Sequence, residues 1–170
     1  MVILFSGRKN KTENEIIEIL TKSGASYISD RRILAGNEKI IIISEYKKTE
    51  LKINKGIAVF IDDTDRFIGQ KFPDGIIGIC EDCNSKALEI FYENKIPVIT
   101  CGMNAKNTIA ISSISSNTLL ASLQRRITDI VGNVIEPEEF KVKLSKKYLP
   151  YSVMASITIL ILCGIIPEEL

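Results

Sequence analysis

The sequence contains no histidine. This removes the commonest general base near neutral pH and the commonest side-chain ligand for transition metals. It also excludes a Ser-His or Cys-His nucleophile system. Charge of one sign is lacking too. The formal net charge is +1, so no large single-sign field draws nucleic acid or an anionic membrane to the chain. Long apolar runs are absent. Residues 1–5 are apolar, but Gly7, Arg8 and Lys9 follow too soon for the hydrophobic region of a signal peptide. The most membrane-like stretch, residues 153–166, is interrupted by Ser156 and Thr158 and stopped by Pro167. It falls short of the roughly 20 apolar residues a span needs, so it reads as a buried helix. The expected location is the cytoplasm, and neither a nucleic-acid nor a membrane partner is expected. Cysteine is scarce: Cys80, Cys83, Cys101 and Cys163. No disulfide framework is expected of them in a cytosolic chain.

What is present suits a globular α/β protein. The 170 residues are enough for one domain with its own core, and 45% of them are hydrophobic, in short blocks between polar turns. Residues 2–5 form an unbroken apolar run, the signature of a strand buried on both faces, and residues 39–44, 56–61, 75–79 and 97–100 repeat that type. Residues 25–29 make a further short strand. Residues 12–22 place Ile16, Ile17, Ile19 and Leu20 among Glu and Lys, an amphipathic helix ended by Gly24. Residues 84–93 read as a helix capped near Asp82. Beyond residue 108 the pattern becomes longer and more alternating, over 108–114, 118–130 and 134–144, with a turn at Gly132-Asn133. This predicts an antiparallel meander, closed by a helix over 151–165. The fold class is therefore α/β: one domain over 1–170, a mostly parallel sheet flanked by helices, and an antiparallel β extension.

Three segments could carry chemistry. The first is Gly7-Arg8-Lys9-Asn10-Lys11-Thr12, between the first strand and the first helix. In such a loop, backbone amides at the helix start face an anion, a lysine adds charge, and a hydroxyl can hold Mg²⁺. Asn10 stands where glycine is usual, and asparagine tolerates left-handed backbone geometry. The plain alternative is a charged turn with no ligand. The second is Asp62-Asp63-Thr64-Asp65, just after a buried strand. Carboxylates at the C-terminal edge of a parallel sheet can hold Mg²⁺ beside a nucleotide, or simply form a solvated acidic turn. The third is Cys80-Glu81-Asp82-Cys83, before a helix. A helix start lowers a thiol's pKa, so a redox pair is conceivable, against two small, partly buried thiols. A structural zinc site would need more ligands.

These segments, in this order, resemble the ATP-binding central domain of Mur ligases, the enzymes that add amino acids to UDP-muramoyl precursors of peptidoglycan. VILFSGRKNKT (2–12) resembles that family's strand and GTNGKT-type loop. AVFIDDTDRF (58–67) resembles its DHLDRF-type segment. IIGICEDCNSKALEIFYENKIPVITCG (76–102) is similar to its VLNADDPNS segment, helix and VITYG strand. Residues 132–144 resemble the strands that follow, and YLPYSVMASITILILCGI (148–165) resembles the closing HNVYNALAAIAVALELGI-type helix. The resemblance implies a P-loop-like fold with ATP and Mg²⁺ as ligands. Gly7, Arg8, Lys9, Asn10, Lys11, Thr12 and Asp82 would bind the nucleotide, with Lys11 on phosphate and Tyr148 stacked on the base. Thr12, Asp62, Asp63 and Asp65 would hold the metal.

The departures imply lost catalysis. Asp63 stands at the family's metal-binding histidine, Ile79 at the asparagine of the NADD-type segment, and Tyr148 and Leu149 at the His-Asn pair. The long segment carrying a carbamylated lysine is reduced to a few residues, with Lys71 the nearest match. The substrate-binding and amino-acid-binding domains are not represented. Positioning alone is worth roughly 7–11 kcal/mol of such a barrier. The expectation is a degenerate domain that binds a nucleotide, another phosphate ligand or a protein partner, without catalysing ligation alone. Two alternatives stand beside it: a carboxylate–amine ligase subunit completed by another chain, and a thiol-redox protein using Cys80 and Cys83. A leftover apolar stripe, where those two domains would sit, is a candidate homodimer interface, and the oligomeric state is open.

Overall fold

The computed structural model describes residues 1–29, 32–38, 40–115 and 117–170. Lys39, the first residue of the strand expected over 39–44, lies outside the described residues. In chain order the elements are β1 (Val2–Phe5), α1 (Lys11–Lys22), β2 (Ser26–Ile28), β3 (Ile33–Leu34), β4 (Ile41–Glu45), β5 (Gly56–Phe60), a 3-10 turn (Asp65–Phe67), β6 (Ile76–Glu81), α2 (Ser85–Glu93), β7 (Val98–Gly102), β8 (Ile109–Ile114), β9 (Thr118–Leu123), β10 (Ile127–Thr128), β11 (Val134–Ile135), β12 (Glu139–Lys143) and α3 (Pro150–Leu162).

Ten strands form one sheet in the order β12-β9-β8-β7-β6-β5-β1-β4-β2-β3. From β2 to β8 every neighbouring pair is parallel. β3 joins β2 antiparallel at one edge, and β8, β9 and β12 are antiparallel at the other. β10 and β11 form a separate two-stranded antiparallel sheet. The α/β class, the parallel centre and the antiparallel extension are thus those expected. The extension is more broken than its alternating pattern suggests. Residues 118–130 yield two strands, as do 134–144, where Pro137, with no N–H to give a ladder, separates β11 from β12.

The unbroken apolar strands are explained by cores on both faces. Val2 and Leu4 of β1 join one hydrophobic cluster, while Ile3 and Phe5 join the other. In β5, Ile57 and Val59 separate in the same way from Ala58 and Phe60. The first cluster takes in α1 and α3, and the second takes in α2 and the 3-10 turn. Phe5, Phe60, Phe67 and Phe91 make a buried aromatic group in the second, with Phe5 and Phe60 stacked at 5.1 Å and Phe91 edge-on to Phe60 at 5.1 Å.

α3 is buried at every position from Tyr151 to Leu162. A helix apolar all round must be enclosed on all sides. Here α1 lies beside it, β6, β7 and β8 lie beneath it, and the inward residues Phe140 and Val142 of β12 share its cluster. The helix itself therefore leaves no apolar stripe exposed from Tyr151 to Leu162. The helix stops at Leu162, short of the expected residue 165, because Gly164 adopts φ +77°. No helix among the described residues is long and apolar enough to cross a membrane.

Candidate functional site

The parallel strands end along one edge of the sheet, and the segments that follow β1, β5, β6 and β7 surround a cleft of about 700 Å³. α1 contributes Thr12. The segments after β5, β6 and β7 contribute Ile61, Glu81 with Asp82, and Gly102 with Met103 and Asn104. The start of α3 closes the cleft with Leu149, Pro150, Tyr151 and Met154. Carboxyl ends of parallel strands are where open α/β sheets place ligands.

Asp82 is fixed in this cleft by Asn107, whose side-chain amide donates to Oδ2 at 2.7 Å. Gly102 makes that bond possible. A Cβ there would lie 2.3 Å from Asn107 Nδ2 and 2.6 Å from Asp82 Oδ2. Asp82 does not cap α2, as its position in the sequence suggested. Asn84 does, accepting from the Ala87 N–H at 2.9 Å, while its own amide donates to the Asp62 carbonyl. Tyr151 is anchored by its hydroxyl, which donates to the Phe60 carbonyl at 2.7 Å.

The β1–α1 loop is built differently from the expectation. Asn10 is extended, at φ −141° and ψ 176°, and does not replace a left-handed glycine. Its side-chain oxygen accepts the Glu13 N–H at 2.9 Å, and its amide donates to Ser6 Oγ at 3.1 Å. It is the N-cap of α1 and not a ligand-cradling turn residue. The Gly7 N–H is also engaged, donating to both carboxylate oxygens of Asp62 at 2.9 and 3.1 Å. The amides of Lys11 and Thr12 have no protein partner among the described residues. Lys11 itself lies outside the cleft, its Nζ 3.6 Å from Glu15 Oε1. Gly7, Arg8 and Lys9 line a second cavity, on the side of β2 and β4.

The acidic residues of the 62–65 segment are dispersed among separate tasks. Asp62 holds Gly7, Asp63 accepts the Lys86 N–H at 3.0 Å, and Asp65 pairs with the Lys86 ammonium at 2.9 Å. Among the described residues no group of three or more Asp, Glu, Cys or His could hold a metal ion. The expected set of Thr12 with Asp62, Asp63 and Asp65 is therefore not assembled, and Thr12 shares its cleft with Glu81 and Asp82 instead. Tyr148 is likewise displaced from its expected role as a base-stacking residue. It is 7% exposed, and its hydroxyl sits in a polar cluster with Lys22, Ser145 and Glu18, away from the cleft lining.

Two carboxylates the pattern did not single out matter more. Glu15, 6% exposed, accepts the Leu149 N–H at 2.8 Å. α3 has no side-chain cap of its own and no acid in its first turn, so α1 supplies the negative charge its N-terminus favours. Glu13 is fully buried, with Oε1 accepting from the Tyr46 hydroxyl at 2.6 Å and Oε2 unpartnered. Burial first, then Glu13, holds the Tyr46 hydroxyl well above the ordinary phenol range. Glu13 was visible as a carboxylate on the apolar stripe of Ile16, Ile17 and Leu20, at i, i+3, i+4 and i+7.

Cys80 and Cys83 are free thiols. Burial pushes the Cys80 thiol up to about 12, and burial with Glu81 raises that of the exposed Cys83. Both shifts oppose the lowered value by which a helix start activates a thiol. No protein-family model matches the chain, and a comparison with curated proteins found no match.

Proposed function

We propose that this chain is a Mur-ligase-central-domain-like, P-loop-like domain that acts by binding a nucleotide or related phosphate ligand at the start of α1. The observation that carries this reading is the cleft itself. It joins Thr12, at a helix start whose first two amides have no protein partner among the described residues, to Asp82. Such amides suit a phosphate oxygen. Lys11 would have to leave Glu15 to reach the same place; its own side chain is largely exposed and free to swing, although Glu15 is buried.

The donor set decides how Mg²⁺ would be held. With no cluster of three acids among the described residues, these residues alone do not make a cation cage. A Mg²⁺ carried on phosphates needs only one or two carboxylates, and Thr12, Glu81 and Asp82 fit that demand. When bound, the ion would neutralise phosphate charge. The chain's own residues do the rest: Asn107 orients Asp82, Glu15 steadies the α3 wall, and Tyr151 fixes its angle. Asp63 stands where the resembled family has its metal-binding histidine, so binding without turnover is the expected behaviour of the isolated chain.

Calorimetric titration with ATP, with and without Mg²⁺, tests this. Wild type should bind, with a Kd lowered by Mg²⁺, and Lys11→Ala should weaken binding about tenfold or more, the loss of one charge-assisted contact. No heat from wild type at millimolar ATP would remove the nucleotide reading and leave a protein-binding role.

A further inference from the structure

The β1–α1 loop has a second side. α1 leaves β1 over one face of the sheet, where Ile16 and Leu20 join the first cluster, whereas the connection from β4 to β5 crosses the other face, where Leu51 and Ile53 pack on the second. β1 and β4 are neighbours. The two connections therefore part at this point and leave a crevice, the position at which open α/β sheets bind ligands. The crevice is a cavity of about 660 Å³, within the range that holds metabolite-sized molecules.

Its lining is cationic. Arg8 and Lys9 come from the loop after β1, Arg32 from beyond β2, and Arg66 from the turn after β5. Tyr27 and Tyr46 form part of the wall. No acidic residue is among the described residues that line it, and no described carboxylate forms an ion pair with any of the four cations. The Arg66 guanidinium donates to the Tyr46 carbonyl at 3.2 Å, and that of Arg32 lies 5.5 Å over the Tyr27 ring. A chain of net charge +1 has thus gathered four cations, from three separate stretches, around one concavity. The buried Glu13 carboxylate is not part of the lining and accepts the hydroxyl of Tyr46, which is.

We propose that this cavity is a second ligand site, for a small molecule bearing a phosphomonoester or pyrophosphate group. Planar guanidiniums meet phosphate oxygens in pairs, which suits Arg8, Arg32 and Arg66, and the lysine adds a point charge. The site shares only the loop with the nucleotide cleft, and it stands whether or not the cleft takes ATP.

The probe is inorganic pyrophosphate, titrated calorimetrically into the whole chain at low ionic strength. Wild type should bind. Arg32→Gln with Arg66→Gln should weaken binding about tenfold or more. Because Arg66 also holds the Tyr46 carbonyl, a second pair, Arg8→Gln with Lys9→Gln, removes two charges and no hydrogen bond seen in the fold, and it should weaken binding comparably. Lys11→Ala, on the cleft side, should remove only such binding as the cleft itself offers pyrophosphate and leave in place the binding that depends on Arg8 and Lys9. Absence of binding in wild type overturns the proposal, as does undiminished binding in the Arg8/Lys9 pair. Loss confined to Lys11→Ala also overturns it, and places the anion at the start of α1, so the nucleotide reading survives separately.

Discussion

One short loop divides two concavities of similar size and opposite character. The cleft toward α3 carries Glu81 and Asp82 and is walled by a helix start. The cavity toward β2 and β4 carries four cations and two tyrosines. Both lie along the same edge of the sheet, so edge position alone does not set what a site can take. The side chains beyond each strand end do, and a loop that reads as one motif in the sequence supplies residues to both. Asp62 stands at the divide, bonded to the Gly7 N–H.

The largest way to break the comparison is Gly102→Ala. The added methyl would meet Asn107 and Asp82 at 2.3 and 2.6 Å, separate their hydrogen bond and crowd the cleft floor. The sum of a lost buried bond and overpacking is about 2–4 kcal/mol, read by urea unfolding. Pyrophosphate binding in the basic cavity should survive in the fraction that folds. On the other side, Tyr46→Phe leaves the buried Glu13 carboxylate without its hydroxyl donor. It should cost about 1–3 kcal/mol by the same measurement, without disturbing the cleft. The smallest effect sharpens the contrast without breaking either half. Asp62→Asn keeps an acceptor for Gly7 but removes the negative charge between the sites. Stability should change by less than about 1 kcal/mol, while pyrophosphate affinity rises several-fold at low salt and little at high salt. Calorimetry at two ionic strengths reads that difference.

The fold was more legible than the site, for a physical reason. Val2, Ile3, Leu4 and Phe5 announce a strand with a core on each face, and both cores are there. The EFKVK of β12, buried only at Phe140 and Val142, announces a strand with one core face, as an antiparallel edge should be. Hydrophobic period is a local property and survives in the sequence. Site composition is not local. Arg32, Tyr46 and Arg66 share a cavity only because β4 and β5 flank β1 and β2 lies beyond β4 in the sheet, and nothing in their neighbours' sequence announces that order. Hydrogen-bond partners are equally hidden: Asn10 could have been a left-handed turn residue or a cap, and the contest was settled by the Glu13 N–H beside it. The dispersal of Asp62, Asp63 and Asp65 follows the same rule, since Gly7 and Lys86 reached them first.

The burial of α3 bears on how the molecule comes into being. Nearly every surface that encloses this helix, from α1 to β12, is synthesised before it. Until residues 150–162 leave the ribosome, the sheet must carry an open trough of isoleucine and leucine, an aggregation hazard that cannot be relieved by any earlier segment. Completion of the core therefore waits on one late, wholly buried helix, and the Glu15 carboxylate that receives Leu149 is a polar contact waiting at its entrance.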